Sequence, residues 1–238
     1  MSGWFEEDAG TRYDESPETG PYFDPARIDA TVDFLEPLAG GGALELAIGT
    51  GRIAVPLARR GVRVAGIDYS PAMVAQLRQK STDIPVEIGD YATTRVDGTF
   101  SLVYLVFNGI NNQTTQEAQV ASFANAAAHL APGGYFVVEV GLPPDRPWTV
   151  FDLSDTHVGV DEYDAYTQRL VSHHFSALDG QWSRASGEFR AVSPPELDLM
   201  ARLAGMELHE RWEDWDRSPF TAESAHHVSV WQKVEGPG

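Results

Sequence analysis

The chain has 238 residues, with 17 Lys and Arg against 35 Asp and Glu, a formal net charge of −18 and no cysteine. That length and a 42% hydrophobic content suit one generous globular domain rather than a disordered chain. The acidity argues against a nucleic-acid groove or an anionic membrane surface, because phosphates are repelled. The absence of cysteine excludes disulfides, thiolate nucleophiles and thiolate-bound metals.

Residues 1–25 are acidic, aromatic and punctuated by Pro and Gly, with Tyr13 and Tyr22 among the aromatics. They read as an arm or lid over the body. The opening MSGWFEEDAG lacks a basic segment followed by an apolar run, and the longest apolar stretch, Phe100 to Phe107, is too short to span a bilayer. A cytoplasmic, membrane-free protein is therefore expected.

From Pro25 to Pro37, Ile28, Val32 and Leu35 recur at helical spacing. Strand and helix patterns then alternate. Ala43 to Ile48 is a strand, and Ile53 to Arg60 a helix closed by Gly61. Val62 to Tyr69 is a second strand. Pro71 to Lys80 is a helix with Ser70 as its N-cap. Val86 to Tyr91 and Phe100 to Phe107 are strands three and four, Thr114 to Leu130 a helix, Pro132-Gly133-Gly134 a turn, and Tyr135 to Val140 the fifth strand. Nearly all-apolar strands alternating with helices predict an α/β fold with a parallel sheet covered on both faces. Residues 142–192 change to a polar, alternating pattern with a turn signal at Asp179-Gly180, and predict an antiparallel insertion of two or more strands. A helix from Pro194 to Ala204, closed by Gly205, and strands Glu207 to Trp215 and His227 to Lys233 complete the chain. The domain reading is thus an arm (1–25), a core (26–141), an antiparallel insertion acting as cap or dimer contact (142–192), and a final helix and hairpin completing the core sheet (193–238).

The segment Glu45-Leu46-Ala47-Ile48-Gly49-Thr50-Gly51-Arg52 lies where the first strand yields to the first helix of the alternation. Glycines there let the backbone turn tightly and approach a ligand. The helix start offers free N–H groups to an anionic group. Asp68, at the end of the second strand, is placed to accept both hydroxyls of a ribose. Asp90, at the third strand's end, is placed to accept from an adenine amino group, with the Tyr91 amide facing the ring. Phe107 and Asn108 end the fourth strand at the same cleft. The glycine pattern alone also satisfies a dinucleotide motif, so an NAD-dependent oxidoreductase stays open at this point. That class usually needs a Tyr/Lys or His dyad, and no Tyr-x-x-x-Lys is present.

The succession ELAIGTG, GIDYS, GDY, FSLVYLVFN and LAPGGYFVVEV resembles the class I S-adenosylmethionine-dependent methyltransferases over about residues 25–141. ELDLMARLAG and ERWEDWDRSPFT resemble a group of small actinobacterial methyltransferases acting on small molecules. The resemblance implies a Rossmann-like, seven-stranded, mostly parallel sheet whose antiparallel last strand lies between two others. It also implies S-adenosyl-L-methionine as donor and S-adenosyl-L-homocysteine as product. Glu45, Ala47, Ile48, Gly49 and Gly51 would cradle the methionine part, Asp68 with Tyr69 and Met73 the ribose side, Asp90 and Tyr91 the adenine. Ala47 departs from the glycine often found there. The antiparallel layer before the last helix resembles that of sugar N-methyltransferases, where it supports dimers, so a homodimer is an expectation.

Three segments are placed to meet an acceptor. The loop Asn108 to Thr114 offers Asn112 between Asn111 and Gln113, although the same residues suit a helix cap. The loop Asp214 to His227 offers Trp215, Phe220 and a candidate base, His226, against the alternative that one of the two histidines points outward and the other packs. The arm offers Tyr13 as a ring face for the sulfonium and Tyr22 for the acceptor. His157, His173 and His174 read as structural, and His129 as a surface residue. The reading is methyl transfer to an oxygen or nitrogen of a small molecule in secondary metabolism. A scaffold that binds the donor without methylating, as a cyclase or binding module, is the other reading.

Overall fold

A computed structural model describes residues 24–178 and 181–234. The arm, with Tyr13 and Tyr22, and the Asp179-Gly180 turn lie outside the described residues. The chain runs through α1 (Pro25–Leu35), β1 (Ala43–Leu46), α2 (Ala54–Arg59), β2 (Val64–Asp68), α3 (Pro71–Lys80), β3 (Val86–Ile88) and β4 (Phe100–Leu105). A 3-10 turn (Gly109–Asn112), α4 (Gln116–His129) and β5 (Leu130–Gly141) follow. Then come β6 (Trp148–Leu153), β7 (His157–Asp164), β8 (Arg169–Leu178), β9 (Gln181–Arg190), α5 (Pro194–Leu203), β10 (Met206–Trp212) and β11 (His226–Lys233).

The main sheet has seven strands in the order β10-β11-β5-β4-β1-β2-β3. All pairings from β5 to β3 are parallel, and β11 runs antiparallel between β5 and β10. Every residue of β1 and β2 is buried, as a central strand covered on both faces requires. Alternate side chains feed two cores. Val32 and Phe34 of α1, Leu57 of α2 with Ile53 just before it, and Leu77 of α3 pack on Ala43, Val64, Tyr104, Val137 and Val228. Phe123 and Ala126 of α4 and Leu197 and Met200 of α5 pack on Leu44, Ile67, Val103, Phe136 and Trp231 of the other face. Caps fix the helix starts: Ser70 Oγ accepts from the Met73 amide (3.3 Å) and Thr115 Oγ1 from the Ala118 amide (3.2 Å).

Several boundaries differ from the sequence reading for visible reasons. β1 stops at Leu46 because Ala47 turns into the left-handed region. The pairing of β5 extends back through Pro132-Gly133-Gly134 to Leu130, which sits opposite Phe100 across a register shift. β10 ends at Trp212 because the Glu213 amide donates to Ser218 O (2.8 Å) and opens the connecting loop. Residues 142–192 hold four strands in a second, antiparallel sheet ordered β6-β7-β8-β9. Its last residue, Arg190, is buried and anchors it. The guanidinium donates to Gln119 of α4, to Gln168, and to Glu196 Oε1 of α5 (2.7 Å).

His129 corrects the surface reading: it is buried, its Nε2 accepts from the Val96 amide (3.0 Å) and its Nδ1 donates to Asn125 O (2.8 Å). Burial, the dominant effect, lowers its pKa and keeps it neutral. A histidine on an alanine-rich helix face carries no sequence signal for this; the partner amide lies 33 residues away.

Candidate active site

The carboxyl ends of β1, β2 and β3 lie side by side, and each contributes one part of the site. After β1, Ala47, Gly49 and Gly51 have φ of +54°, +57° and +78°, so three of five successive residues are left-handed. At Gly51 any side chain is also excluded by space, since a Cβ would stand 2.9 Å from Val55 Cγ2 and 3.1 Å from Leu77. The loop is held from β2: the Gly49 amide donates to Asp68 Oδ2 (2.6 Å), and the Ser70 amide to Asp68 Oδ1 (2.8 Å). Burial raises the Asp68 pKa, and these two amides work against that rise. Ile48 lies beneath the loop, over Gly66, and Met73 packs against Gly49. Tyr69 is exposed beside Asp68.

Glu45 sits below this surface. It is buried, accepts from Tyr104 Oη (2.9 Å) and from the Ala54 amide, and so ties β1 to β4 and to the start of α2. Burial pushes its pKa up to about 8.

After β3, Asp90 Oδ1 accepts from the Ala92 amide and from Gln113 Nε2, both at 2.8 Å. Gln113, read from sequence as part of the acceptor loop, thus reaches back to the third strand's acid. Tyr91 is buried and donates its hydroxyl to Gly109 O (2.7 Å). Helix α4 is capped by Thr115, not by Asn111 or Asn112; Asn111 is buried with its Oδ1 unpaired among the described residues, and Asn112 is half-buried at the end of the 3-10 turn.

At the end of β4, Phe107 (φ +56°) and Asn108 (φ +54°) are both left-handed. Such a conformation costs a non-glycine residue about 1–2 kcal/mol. It persists because β5 fixes it: the Phe107 amide donates to Glu139 Oε2 (2.9 Å), and Asn108 Oδ1 accepts from the Gly141 amide (2.7 Å). The Arg52 guanidinium lies 5.4 Å from the centre of the Phe107 ring. Opposite Gly141 stands His226, the first residue of β11.

The two neighbouring histidines divide as the alternation of a strand demands. His227 is buried, and burial, helped by Arg211, drives its pKa down to about 3. Ser229 Oγ accepts from Arg211 Nε (2.7 Å), so its own hydrogen goes to His227 Nδ1 (2.8 Å). Phe220 packs edge-on against that ring. His226 is partly exposed on the other face, its Nε2 lying 3.5 Å from Asp214 Oδ2. Asp214 also accepts from the Trp215 amide (2.8 Å), and the Trp215 ring is buried edge-on against Phe34 of α1.

Two residues at this end were not singled out from sequence, Glu139 and Arg27. Glu139 is the one charge in the apolar run FVVEV, and a carboxylate there must find a cation or donors. It finds both, in the Phe107 amide and in Arg27 Nη2 at 2.5 Å.

Neighbouring parallel strands are spaced by about 4.8 Å, so the glycine loop, Asp68 and Asp90 span about 10 Å along one edge. Carboxylates at two of these positions beside a loop that Gly49 and Gly51 leave open suit the hydroxyls and amino group of an adenosyl unit. Residues 43–134 match a methyltransferase domain family. The chain is 32% identical to the CcbJ methyltransferase of Streptomyces caelestis, with a TM-score of 0.85, covering 97% of this chain and 98% of that one. It is 29% identical over 219 residues to a cypemycin N-terminal methyltransferase of a Streptomyces species, covering 87% and 89% of the two chains. It is 30% identical over 153 residues to a dTDP-3-amino-3,4,6-trideoxy-alpha-D-glucopyranose N,N-dimethyltransferase of Streptomyces venezuelae, covering 63% and 61%. Fold, strand-end loop and relatives agree, and the chain belongs to the class I methyltransferases, enzymes that use S-adenosylmethionine as methyl donor.

Proposed function

We propose that the acceptor is the amine of a small molecule of secondary metabolism. The observation that carries this reading is His226 facing Asp214 at the acceptor end of the cleft, beside the left-handed turn at Phe107 and Asn108. An amine is protonated near neutral pH and must lose a proton before its lone pair can act. A partly exposed imidazole against a carboxylate suits that task, and a chain of net charge −18 attracts a cationic substrate. The named relatives that methylate a peptide N-terminus and an amino sugar support the same choice.

When bound, the donor supplies a methyl group already activated by sulfonium, so this chain's own residues need to bind, orient and handle a proton. In this reading Gly49 and Gly51 admit the methionine part, Asp68 takes the ribose hydroxyls and Asp90 the adenine amino group. Phe107 and Asn108 shape the floor under the acceptor, and Asn112 borders it. His226 takes the acceptor's proton and passes it to solvent. The insertion, residues 142–192, caps this side.

The partners follow from the surface. The edge strand β6 exposes Trp148, Val150, Phe151 and Leu153. An uncovered apolar edge of this kind suits a second copy of the chain. No helix among the described residues is long and apolar enough to cross a membrane. The acidity disfavours a nucleic-acid partner.

The test is transfer from methyl-labelled donor to matched acceptors that differ only in carrying an amino or a hydroxyl group, as amino sugar against sugar and peptide N-terminus against its hydroxy analogue. Label in the amine alone supports the reading. Label in the hydroxyl partner alone, or donor binding without transfer to any acceptor, rejects it.

A further inference from the structure

A chain of alternating charges runs around the acceptor end of the cleft. It begins at the strained turn after β4, where the Phe107 amide donates to Glu139 Oε2. Glu139 Oε1 accepts from Arg27 Nη2 at 2.5 Å, and Arg27 Nη1 donates to Asp214 Oδ2 at 3.2 Å. The same Oδ2 lies 3.5 Å from His226 Nε2. Four separate elements meet here: β5 gives Glu139, α1 gives Arg27, the β10–β11 loop gives Asp214, and β11 gives His226.

We propose that Arg27 is a positioning residue: it shares the Asp214 carboxylate with His226 and holds that carboxylate back from closing fully on the imidazole. The inference rests on the proposed function for its purpose, since His226 is read there as the base. Its geometry stands without it.

Three features support the assignment. First, one carboxylate oxygen serves two cations, so Arg27 and a protonated His226 compete for it. Second, Asp214 is held at both oxygens, Oδ2 by Arg27 and Oδ1 by the Trp215 amide at 2.8 Å, while Trp215 is itself locked against Phe34 of α1. The carboxylate therefore cannot swing fully onto the imidazole. Third, His226 Nε2 is covered and has no hydrogen bond among the described residues, although the side chain is about one-third exposed. The nitrogen facing Asp214 is the shielded one, which leaves Nδ1 to take the acceptor's proton. The step balances: an ammonium acceptor becomes a neutral amine, and His226 gains one proton and one positive charge.

Among the described residues, the other charged groups around His226 are few. Glu139 is engaged by Arg27 and by Phe107 on the same face, and Gly141, the residue opposite, carries no side chain. His227 points to the opposite face and stays neutral, with its pKa near 3, so it adds no charge at working pH. Among the described residues, Asp214 and, through it, Arg27 are the charges engaged at His226.

The readout is the pH titration of the His226 ring signal by NMR in the full chain, without donor or acceptor. Removing the charge in Arg27→Gln is expected to raise the midpoint by about one pH unit, because Asp214 then serves His226 alone. Arg27→Lys keeps a cation and holds the midpoint near that of the parent. Asp214→Asn, which keeps the Arg27–Glu139 pair, lowers it. A purely structural role for Arg27 would change stability and leave the midpoint in place. An unchanged midpoint in folded Arg27→Gln or in Asp214→Asn overturns the proposal; if Arg27→Gln does not fold, Asp214→Asn decides alone. Failure of the amine reading is seen separately, as methyl label in the hydroxyl acceptor alone, whatever the His226 midpoints do.

Discussion

The amide of Gly49 donates to Asp68 Oδ2 at 2.6 Å, so the loop after β1 is held by the acid that ends β2. One carboxylate therefore shapes the glycine loop on which the proposed donor site is built. Bonds from an amide to an ionised carboxylate contribute about 1.5–3 kcal/mol. Asp68→Asn loses the charge and turns an N–H group toward one of the two amides. Urea unfolding is expected to show a loss of about 2 kcal/mol, and an unchanged midpoint would mean that the loop holds itself.

Ala47 has a φ of +54°. Glycine adopts that conformation freely, whereas alanine is penalised by its Cβ. Ala47→Gly is expected to raise thermal stability by about 0.5–1 kcal/mol, the relief exceeding the added freedom of the unfolded chain. A lower melting temperature would contradict this.

Glu45 has a pKa of about 8 in the fold against an ordinary 4.5. Between these values the folded chain keeps a proton that the unfolded chain releases. Stability from this group is therefore complete below pH 4.5 and is lost as pH rises to about 8. Glu45→Gln is neutral at every pH. Its stability relative to the parent is expected to climb across that window by roughly a few kcal/mol, read from denaturant unfolding at several pH values. A gap that does not vary with pH would show Glu45 ionised in the fold.

His227 acts in the opposite sense. Its pKa of about 3 lies below the ordinary 6.5, so the unfolded chain takes up a proton that the fold refuses. This stability is present above pH 6.5 and disappears as pH falls toward 3. His227→Gln should flatten that part of the acid limb in a thermal melt series, and an unaltered limb would remove His227 from the account.

How much of this was legible in the sequence depends on how local each cause is. The alternation of apolar strands with helices, the glycine loop and the acids at Asp68 and Asp90 are local patterns, and the sheet order and strand ends agree with them. Boundaries shifted where the cause was a backbone contact with another element, as at Glu213 and Ser218. The division between His226 and His227 follows from alternation along β11, but the partners that give each its character, Asp214 on one face and Ser229 on the other, come from elsewhere in the fold. The role of Gln113 was hidden because its partner Asp90 lies 23 residues back. Glu139 left a trace, a single charge in an apolar strand. Arg27 left none, since a basic residue at the start of an amphipathic helix is ordinarily solvated.

The most direct measurement is calorimetric titration of the purified full chain with S-adenosylhomocysteine, alongside Asp68→Ala and Asp90→Ala. The cradle described here predicts one-to-one binding by the parent, weakened about tenfold or more in each variant, the loss expected when a charged hydrogen-bonding partner is removed. No heat with the parent, or equal affinity in all three proteins, would contradict it.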